Sequence, residues 1–411
     1  MRATTLLRRL IGIRGVLVKG VLFQIDGKLS IEVEPQWRQP RCGQCGRHAP
    51  GYDRLPPRWW LHLPVGRTPV RLSYAPRRVA CPRCGVRSER VPWSTAGSRF
   101  TTVFEEMVGY LAQITDLTHV AELMGISWST VAAVVRRVVA RHLSPERLEA
   151  LSLIGIDEFS FRKHHHYLTV VVDHERRCIV WAAEGRKAET LGPFFSLLGP
   201  KGCTAIQLVS IDLAAGYRKA AEDNLPNAEV VFDRFHVQRL ASDALDEVRR
   251  ALVRELSGTP EATVVKNTRW ALLHDASGLN ALQRERLSLV QKTNRPLYRA
   301  YLLKETLVRA LDYLQPKRAL EALMAWIGWA QRSRLRPFVR VARTIRKHLP
   351  GILAYVRTRL TNGLTEGLNA KLRMIARRAY GYHSADALIA MLFLTCSNIR
   401  LDPPLPLPTR T

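Results

Sequence analysis

The spacing of apolar residues changes period along the chain, and each change predicts a different kind of element. Between about residues 100 and 145, apolar positions recur every three or four residues in "TVFEEMVGYLAQI" and "DLTHVAELMGISWSTVAAVVRRVVARHL", the spacing of amphipathic helices. In the second run a short helix ends near Gly125, and Ser127 caps a further helix that continues to about His142. From residue 151 the apolar runs shorten. "LIGIDEF", "YLTVVVD" and "CIVWAAE" read as three strands separated by the polar turns "SFRKHHH" and "HERR", an antiparallel meander. A helix "ETLGPFFSLLG", a strand "AIQLVSID", a helix "AAGYRKAAEDNLP", a strand "AEVVFD" and a long amphipathic helix follow. Three antiparallel strands followed by strands reached through helical crossovers predict a mixed α/β sheet with helices on both faces.

Residues 257 to 350 return to helical spacing without a convincing strand, as in "LYRAYLLKETLVRALDYL", and read as an all-helical insertion. The stretch "TNGLTEGLNAKLRMIARRAYGYHSADALIAMLFLTCSNIR" predicts two more helices. The proline-rich "LDPPLPLPTRT" after it cannot form a regular helix.

Composition narrows the partners. The 63 Lys and Arg against 35 Asp and Glu leave a formal charge of +28, a field that draws polyanions. Nucleic acid is the leading partner, with a merely basic or ribosome-associated protein as the bland alternative. No apolar stretch approaches the roughly 20 residues of a membrane span, and the start of the chain is too broken by arginine for a signal peptide. The expectation is a cytoplasmic protein with no membrane partner.

Four of the seven cysteines form two close pairs, Cys42-x-x-Cys45 and Cys81-x-x-Cys84, each followed by glycine, which lets the backbone turn so that both thiolates face one ion. Two such knuckles complete a site of four thiolates for structural zinc; redox pairs or plain core cysteines are the other readings. The stretch "GYDRLPPRWWLHLPVGRTPVRLSYAP" between them alternates as a hairpin. Cys178, Cys203 and Cys396 stand alone in apolar runs and read as core.

The helix pair broken at Gly125 has the arrangement of a helix-turn-helix. Ser127, Trp128, Ser129 and Thr130 would lead its recognition helix, with Arg136 and Arg137 farther along; an ordinary helical hairpin with solvated arginines is the alternative.

The acidic residues pose the sharper question. Asp157 and Glu158 interrupt an apolar strand, and a lone buried carboxylate costs several kcal/mol unless it is paired, hydrogen-bonded or metal-bound. The strand "AIQLVSID" ends on Asp212, and if it lies beside the strand of Asp157 the two carboxylates form a metal site unless they merely repel. Alternation sends Glu158 to the opposite face, as a support or salt-bridge partner. In "NGLTEGLNAKLRMIARRAYGYH", Leu364, Leu368, Leu372 and Ile375 mark the core stripe of a helix, while Glu366, Asn369, Arg373 and Arg377 share another face suited to a metal and a backbone phosphate. A solvated amphipathic helix is the alternative there. Asp233 could replace Asp212 or cap the following helix, and His236 could contact a scissile phosphate or close that cap. His164, His165 and His166 lack cysteine or carboxylate at ligand spacing and read as a solvated turn.

The order Asp157, Asp212 and Glu366 after an insertion resembles the ribonuclease H-like core of DDE transposases. More narrowly, "GIDEFSFRKHHHYLTVVVD", "DLAAGYRKAAEDNLPNAEVVFDRFHVQRL" and "TEGLNAKLRMIARRAYGY" resemble the signature stretches of the ISL-three family of bacterial insertion-sequence transposases, which also carry an N-terminal zinc-binding domain and a helix-turn-helix. The resemblance implies a ribonuclease H-like mixed sheet with an all-helical insertion, preceded by a zinc ribbon and a helix-turn-helix. The implied domains are a zinc-ribbon domain at 1–98, the helix-turn-helix at 99–148, the catalytic core at 149–256, the insertion at 257–350, the final core helices at 351–400 and a tail at 401–411. It implies cleavage and strand transfer of double-stranded DNA at terminal inverted repeats, with Mg2+ or Mn2+ held by Asp157, Asp212 and Glu366, structural Zn2+ on Cys42, Cys45, Cys81 and Cys84, and a dimer or higher assembly on DNA. A regulator without catalysis and a nuclease that cuts without joining are the rival readings.

Overall fold

A computed structural model describes residues 3–162, 166–213, 216–360, 367, 370–371, 373–375, 382 and 384–402. The chain divides into two compact units, Met1–Leu143 with Arg377–Thr411, and Ser144–Ala376.

The first unit opens with a helix α1 (Ala3–Leu10) and two strands, β1 (Val16–Phe23) and β2 (Leu29–Pro35). Strands β4 (Arg58–Val65) and β5 (Thr68–Tyr74) complete a four-stranded sheet of order β1-β2-β5-β4, in which β2 and β5 run parallel and the other pairs antiparallel. Alternation sends Leu29, Ile31 and Val33 of β2, with Val70, Leu72 and Tyr74 of β5, to one buried face. Trp93 closes that core, edge-on to Trp60 at 5.6 Å and to Tyr74 at 5.4 Å. The expected hairpin between the cysteine pairs exists as β4 and β5, but it joins this sheet. The cysteines sit on a separate three-stranded sheet, order β3-β6-β7, of β3 (Gly51–Arg54), β6 (Arg77–Cys81) and β7 (Gly85–Ser88).

Three helices follow, α2 (Thr102–Ile114), α3 (Leu117–Met124) and α4 (Trp128–His142). Thr101, Asp116 and Ser127 cap them in turn, each side chain accepting a backbone N–H of its helix's first turn. Valines 131, 134, 135, 138 and 139 form the buried stripe of α4. A Cβ at Gly109 of α2 would stand 2.9 Å from Val138, so glycine lets the two helices approach closely.

A fourth helix of this unit comes from far along the chain. Ala385–Cys396, capped by Ser384, packs on α2 and α4, and Gln113 donates to the carbonyls of Leu394 (2.8 Å) and Ile399 (2.9 Å). The sequence reading grouped this helix with the catalytic core at 351–400. Its nearly all-apolar surface, with only a narrow polar edge, carries no pattern that names the helices it buries against.

The second unit is a mixed α/β layer. Its sheet has the order β10-β9-β8-β11-β12, built from β8 (Leu153–Arg162), β9 (His166–Asp173), β10 (Cys178–Glu184), β11 (Leu208–Ile211) and β12 (Glu229–Phe232). The first three strands form the expected antiparallel meander, and β11 and β12 add in parallel on the other side of β8. Helices α5 (Gly192–Ala205), α6 (Tyr217–Asn224) and α7 (Arg234–Glu255) bury Phe194, Tyr217 and Val237 with Ile154 and Ile156 of the sheet. Val231 of β12 packs instead with Ala354 and Tyr355 of α14 (Leu349–Thr358). A Cβ at Gly351 would meet the Phe232 ring at 2.5 Å, so the absence of a side chain lets α14 lie on β12.

The expected insertion is all-helical: α8 (Pro260–Lys266), α9 (Arg269–Leu273), α10 (Ala281–Thr293), α11 (Arg295–Asp312), α12 (Pro316–Arg332) and α13 (Arg336–Lys347), with α11 and α13 packed along α7. Cys178, Cys203 and Cys396 are buried, as expected of core residues. Among the described residues no single helix is long and apolar enough to cross a membrane.

Candidate functional site

The sulfurs of Cys42, Cys45, Cys81 and Cys84 all lie within 4.8 Å of one another, and those of Cys45 and Cys81 are 3.6 Å apart. Thiolates around a tetrahedral ion of Zn–S length about 2.3 Å would stand about 3.8 Å apart, so the four residues fit a metal. Local backbone makes the cluster. Gly46 (φ 71°) and Gly85 (φ 72°), each directly after the second cysteine of a pair, take the left-handed conformation that closes the knuckle. A Cβ at Gly43 would lie 2.6 Å from the Ser88 carbonyl, so the first knuckle also needs glycine to pack on β7. The backbone N–H groups of Arg83 and Cys84 draw the Cys81 thiol down to about 7, whereas burial beside the other sulfurs pushes Cys84 up to about 12. Only Ala49 and Val79 pack with these cysteines in the small core, too little apolar mass to hold the module by itself.

Helices α3 and α4 cross at 101°, the angle of a helix-turn-helix, around the left-handed Gly125 (φ 63°). Ser127 and Ser129 are exposed at the leading end of α4, and the Ser127 hydroxyl lies 2.8 Å from that of Thr130. Arg136 is exposed without a carboxylate partner among the described residues. Two of the expected DNA contacts sit differently. Trp128 is half-buried and packs on the Tyr382 ring at 6.3 Å. Arg137 donates to Glu105 (2.7 Å), a fully buried carboxylate that Arg141 and the Ser98 hydroxyl (2.7 Å) also hold. Arg137 therefore answers a buried charge on α2, a partner that helical spacing alone could not show.

The two aspartates lie on the central strands, Asp157 within β8 and Asp212 just past the end of β11. The parallel pairing of β8 with β11 matches Ser210 to Gly155, and Asp212 and Asp157 each lie two residues farther on. They are thus level on adjacent strands, which run roughly 4.8 Å apart, and both are half-buried. The period of two puts them on the face of Gly155 and Ser210, opposite the face of Ile154 and Ile156. Glu158 shares the latter face with its cross-strand partner Thr169, whose hydroxyl lies 2.7 Å from that of Tyr217. Burial raises the Glu158 carboxyl above its usual range, Arg186 opposes that rise, and the charges of Asp212 and Asp157 add to it. Burial likewise pushes the Tyr217 phenol up to about 12.

His236, in the first turn of α7, places Nδ1 3.3 Å from Oδ2 of Asp212. Asp233 occupies the N-cap position of that helix, is 2% exposed, and makes no side-chain capping bond. The expectation that it caps the helix through its side chain is therefore not met. Glu366, Asn369 and Arg377 lie outside the described residues, as do His164 and His165; Arg373 is exposed. His166 is described, 3.6 Å from Glu184. Thr169, Tyr217 and Arg186 were not anticipated, and the one signal was a hydroxyl in the middle of the apolar run "YLTVVVD".

A helix-turn-helix in one unit and, in the other, a mixed sheet with two aspartates level on adjacent strands fit the class of DNA-binding transposases. A family model described as Transposase matches residues 154–392, and one described as Helix-turn-helix domain of transposase family ISL3 matches residues 89–139. Over 431 aligned positions the chain is 37% identical to the transposase for insertion sequence element IS1557 of Mycobacterium tuberculosis (strain ATCC 25618 / H37Rv), covering 97% of each. It is 31% identical over 361 positions to the transposase for insertion sequence element IS1001 of Bordetella parapertussis, covering 87% of this chain and 89% of that one. The chain belongs to the ISL3 family of insertion-sequence transposases.

Proposed function

We propose that this transposase binds the terminal inverted repeats of its element as double-stranded DNA and carries out metal-dependent strand cleavage and strand transfer. The observation that carries the reading is the level placement of Asp157, within β8, and Asp212, just past the end of β11, on adjacent parallel strands. The strand order, three antiparallel strands with two parallel ones beside the first, supports a ribonuclease H-like core. Asp157 and Asp212, with Glu366, would hold Mg2+ or Mn2+, hard cations suited to carboxylate oxygens. When bound, such ions supply an activated hydroxyl nucleophile and neutralise charge at the leaving oxygen.

The chain's own residues prepare that chemistry. His236 holds Asp212 through its Oδ2. Glu158, on the opposite face, adds negative potential near the two aspartates, which a cation held by them would offset. The four-cysteine cluster would hold a structural Zn2+ that orders the N-terminal module, separate from the reaction. Joining two ends calls for at least a dimer on DNA, and a basic DNA-bound protein is expected in the cytoplasm at the nucleoid.

The test is a cleavage-and-joining assay on DNA carrying the ends that flank the gene, with Mg2+ or Mn2+, comparing wild type with Asp157→Asn and Glu366→Gln. Metal-dependent joined product that both variants lose is the expected result. Cleavage without joining would replace this reading with that of a nuclease.

A further inference from the structure

The first unit contains a cleft of about 680 Å3 that no part of the argument so far has used. Gly43 and Gln44 of the first cysteine knuckle line it, as do Gly97 and Ser98. The latter two residues also line a second hollow of about 190 Å3, together with Ser129, Thr130 and Arg137 of the recognition helix. The two hollows are thus neighbours that share a wall at Gly97 and Ser98, the larger lined by the thiolate module and the smaller by α4.

The charge along these hollows is one-sided. The larger cleft is lined by Arg58, Arg87, Arg90 and Arg141 against a single carboxylate, Glu89. Glu89 is already spent: it is 5% exposed, accepts from Arg77 Nη2 at 2.8 Å and Nε at 3.0 Å, and accepts from the Tyr74 hydroxyl at 2.7 Å. Arg141 is likewise engaged by Glu105 and Glu106. Arg58, Arg87 and Arg90 are exposed and make no ion pair among the described residues, and Arg99 in the second hollow is in the same condition. Two of these guanidinium groups are held in place without losing charge. Arg58 lies over the Trp60 ring at 5.2 Å, and Arg87 donates to Gln44 at 3.0 Å, so less side-chain freedom is lost when an anion binds.

We infer that this groove grips the sugar-phosphate backbone of DNA next to the bases that α4 meets, so that the thiolate module and the helix-turn-helix hold one duplex segment together. A free anion would need only one hollow. Two neighbouring basic hollows, the second walled by the leading end of α4, suit a polymer of phosphates, contacted through charge and not through sequence. The inference rests on the DNA-binding part of the function proposed above.

The experiment uses the full chain with Arg58→Gln, Arg87→Gln and Arg90→Gln combined, and measures binding to a labelled duplex bearing an element end across a salt series. At about 0.9 per phosphate, loss of three contacts lowers the slope of log affinity against log salt by about 2.7, and weakens binding about 100-fold at 0.15 M salt. The loss should be equal for an unrelated duplex, with metal content and thermal midpoint unchanged. If the triple variant fails to fold, each single variant should lower the slope by about 0.9. Wild-type slope and affinity in the variants would overturn the inference while leaving the DNA-binding reading standing. A loss confined to RNA or to an acidic polypeptide would overturn it in favour of that partner. Failure of the wild type to bind any duplex would overturn both.

Discussion

Asp157 stands in a strand whose neighbours Ile154 and Ile156 are fully buried, and its half-buried carboxylate lies on the opposite face from theirs, accepting the backbone N–H of Glu158 at 2.7 Å. Asparagine keeps its shape and removes its charge. Asp157→Asn and Asp212→Asn should each lower strand cleavage at least about 10³-fold while duplex binding stays within about twofold, as gel-shift and cleavage assays on the same protein would read. His236→Ala should lower the cleavage rate about tenfold without weakening DNA binding, because the ring orients Asp212 and need not touch DNA. Two other histidines set a pH dependence of stability. Burial holds both His62 and His174 near pKa 4, against about 6.5 when unfolded. Their hydroxyl partners are Thr101 at 2.9 Å and Ser210 at 2.8 Å. Below about pH 6.5 the unfolded chain takes up protons that the folded chain refuses. Stability is therefore full above that pH and declines as the pH falls toward 4, by about 3 kcal/mol for each histidine. Urea midpoints at pH 7 and pH 4.5 should show the decline, and His174→Asn should flatten part of it.

Within α4 the two adjacent arginines belong to different accounts. Arg136→Ala should weaken DNA binding about tenfold with an unchanged thermal midpoint. Arg137→Ala should lower the midpoint, because it strips one of two arginine partners from the buried Glu105 and costs about 2 kcal/mol. Equal midpoints for the two variants would refute that division. The same helix shows what periodicity can and cannot convey. Its N-cap, its bend at Gly125 and its valine stripe are local, and all are legible in "GISWSTVAAVVRRVV". The meander and the adjacency of Asp157 and Asp212 were legible too, since three short apolar runs followed by crossovers leave few sheet orders. The partner of Arg137 was not, because Glu105 lies on another helix and spacing is blind to tertiary pairing. The β1–β2 pair was missed because Lys19 and Gly20 break its apolar run and much of β1 remains exposed. The place of Ala385–Cys396 was hidden for the opposite reason, an almost wholly apolar helix that fits many cores.

Across the whole molecule the excess of basic over acidic residues, +28, makes association with DNA steeply dependent on salt. The N-terminal module should add a dependence on metal, because its four cysteines fit one. Its small core of Cys42, Ala49, Val79 and Cys81 leaves the fold of β3, β6 and β7 to the thiolate cluster. Removing the metal with a chelator, or making Cys42→Ser, should lower zinc content and weaken DNA binding at least about tenfold. Unchanged zinc content in the variant would refute the four-thiolate site. The helix Ala385–Cys396 sets a condition of a different kind, one of time. It completes the packing of α2 and α4, yet it leaves the ribosome roughly 250 residues after them, about 10 to 50 seconds later at ordinary rates of synthesis. The DNA-reading unit therefore reaches its full packing only after the whole second unit has been synthesised, and a chain released before that would carry it with one apolar face still uncovered.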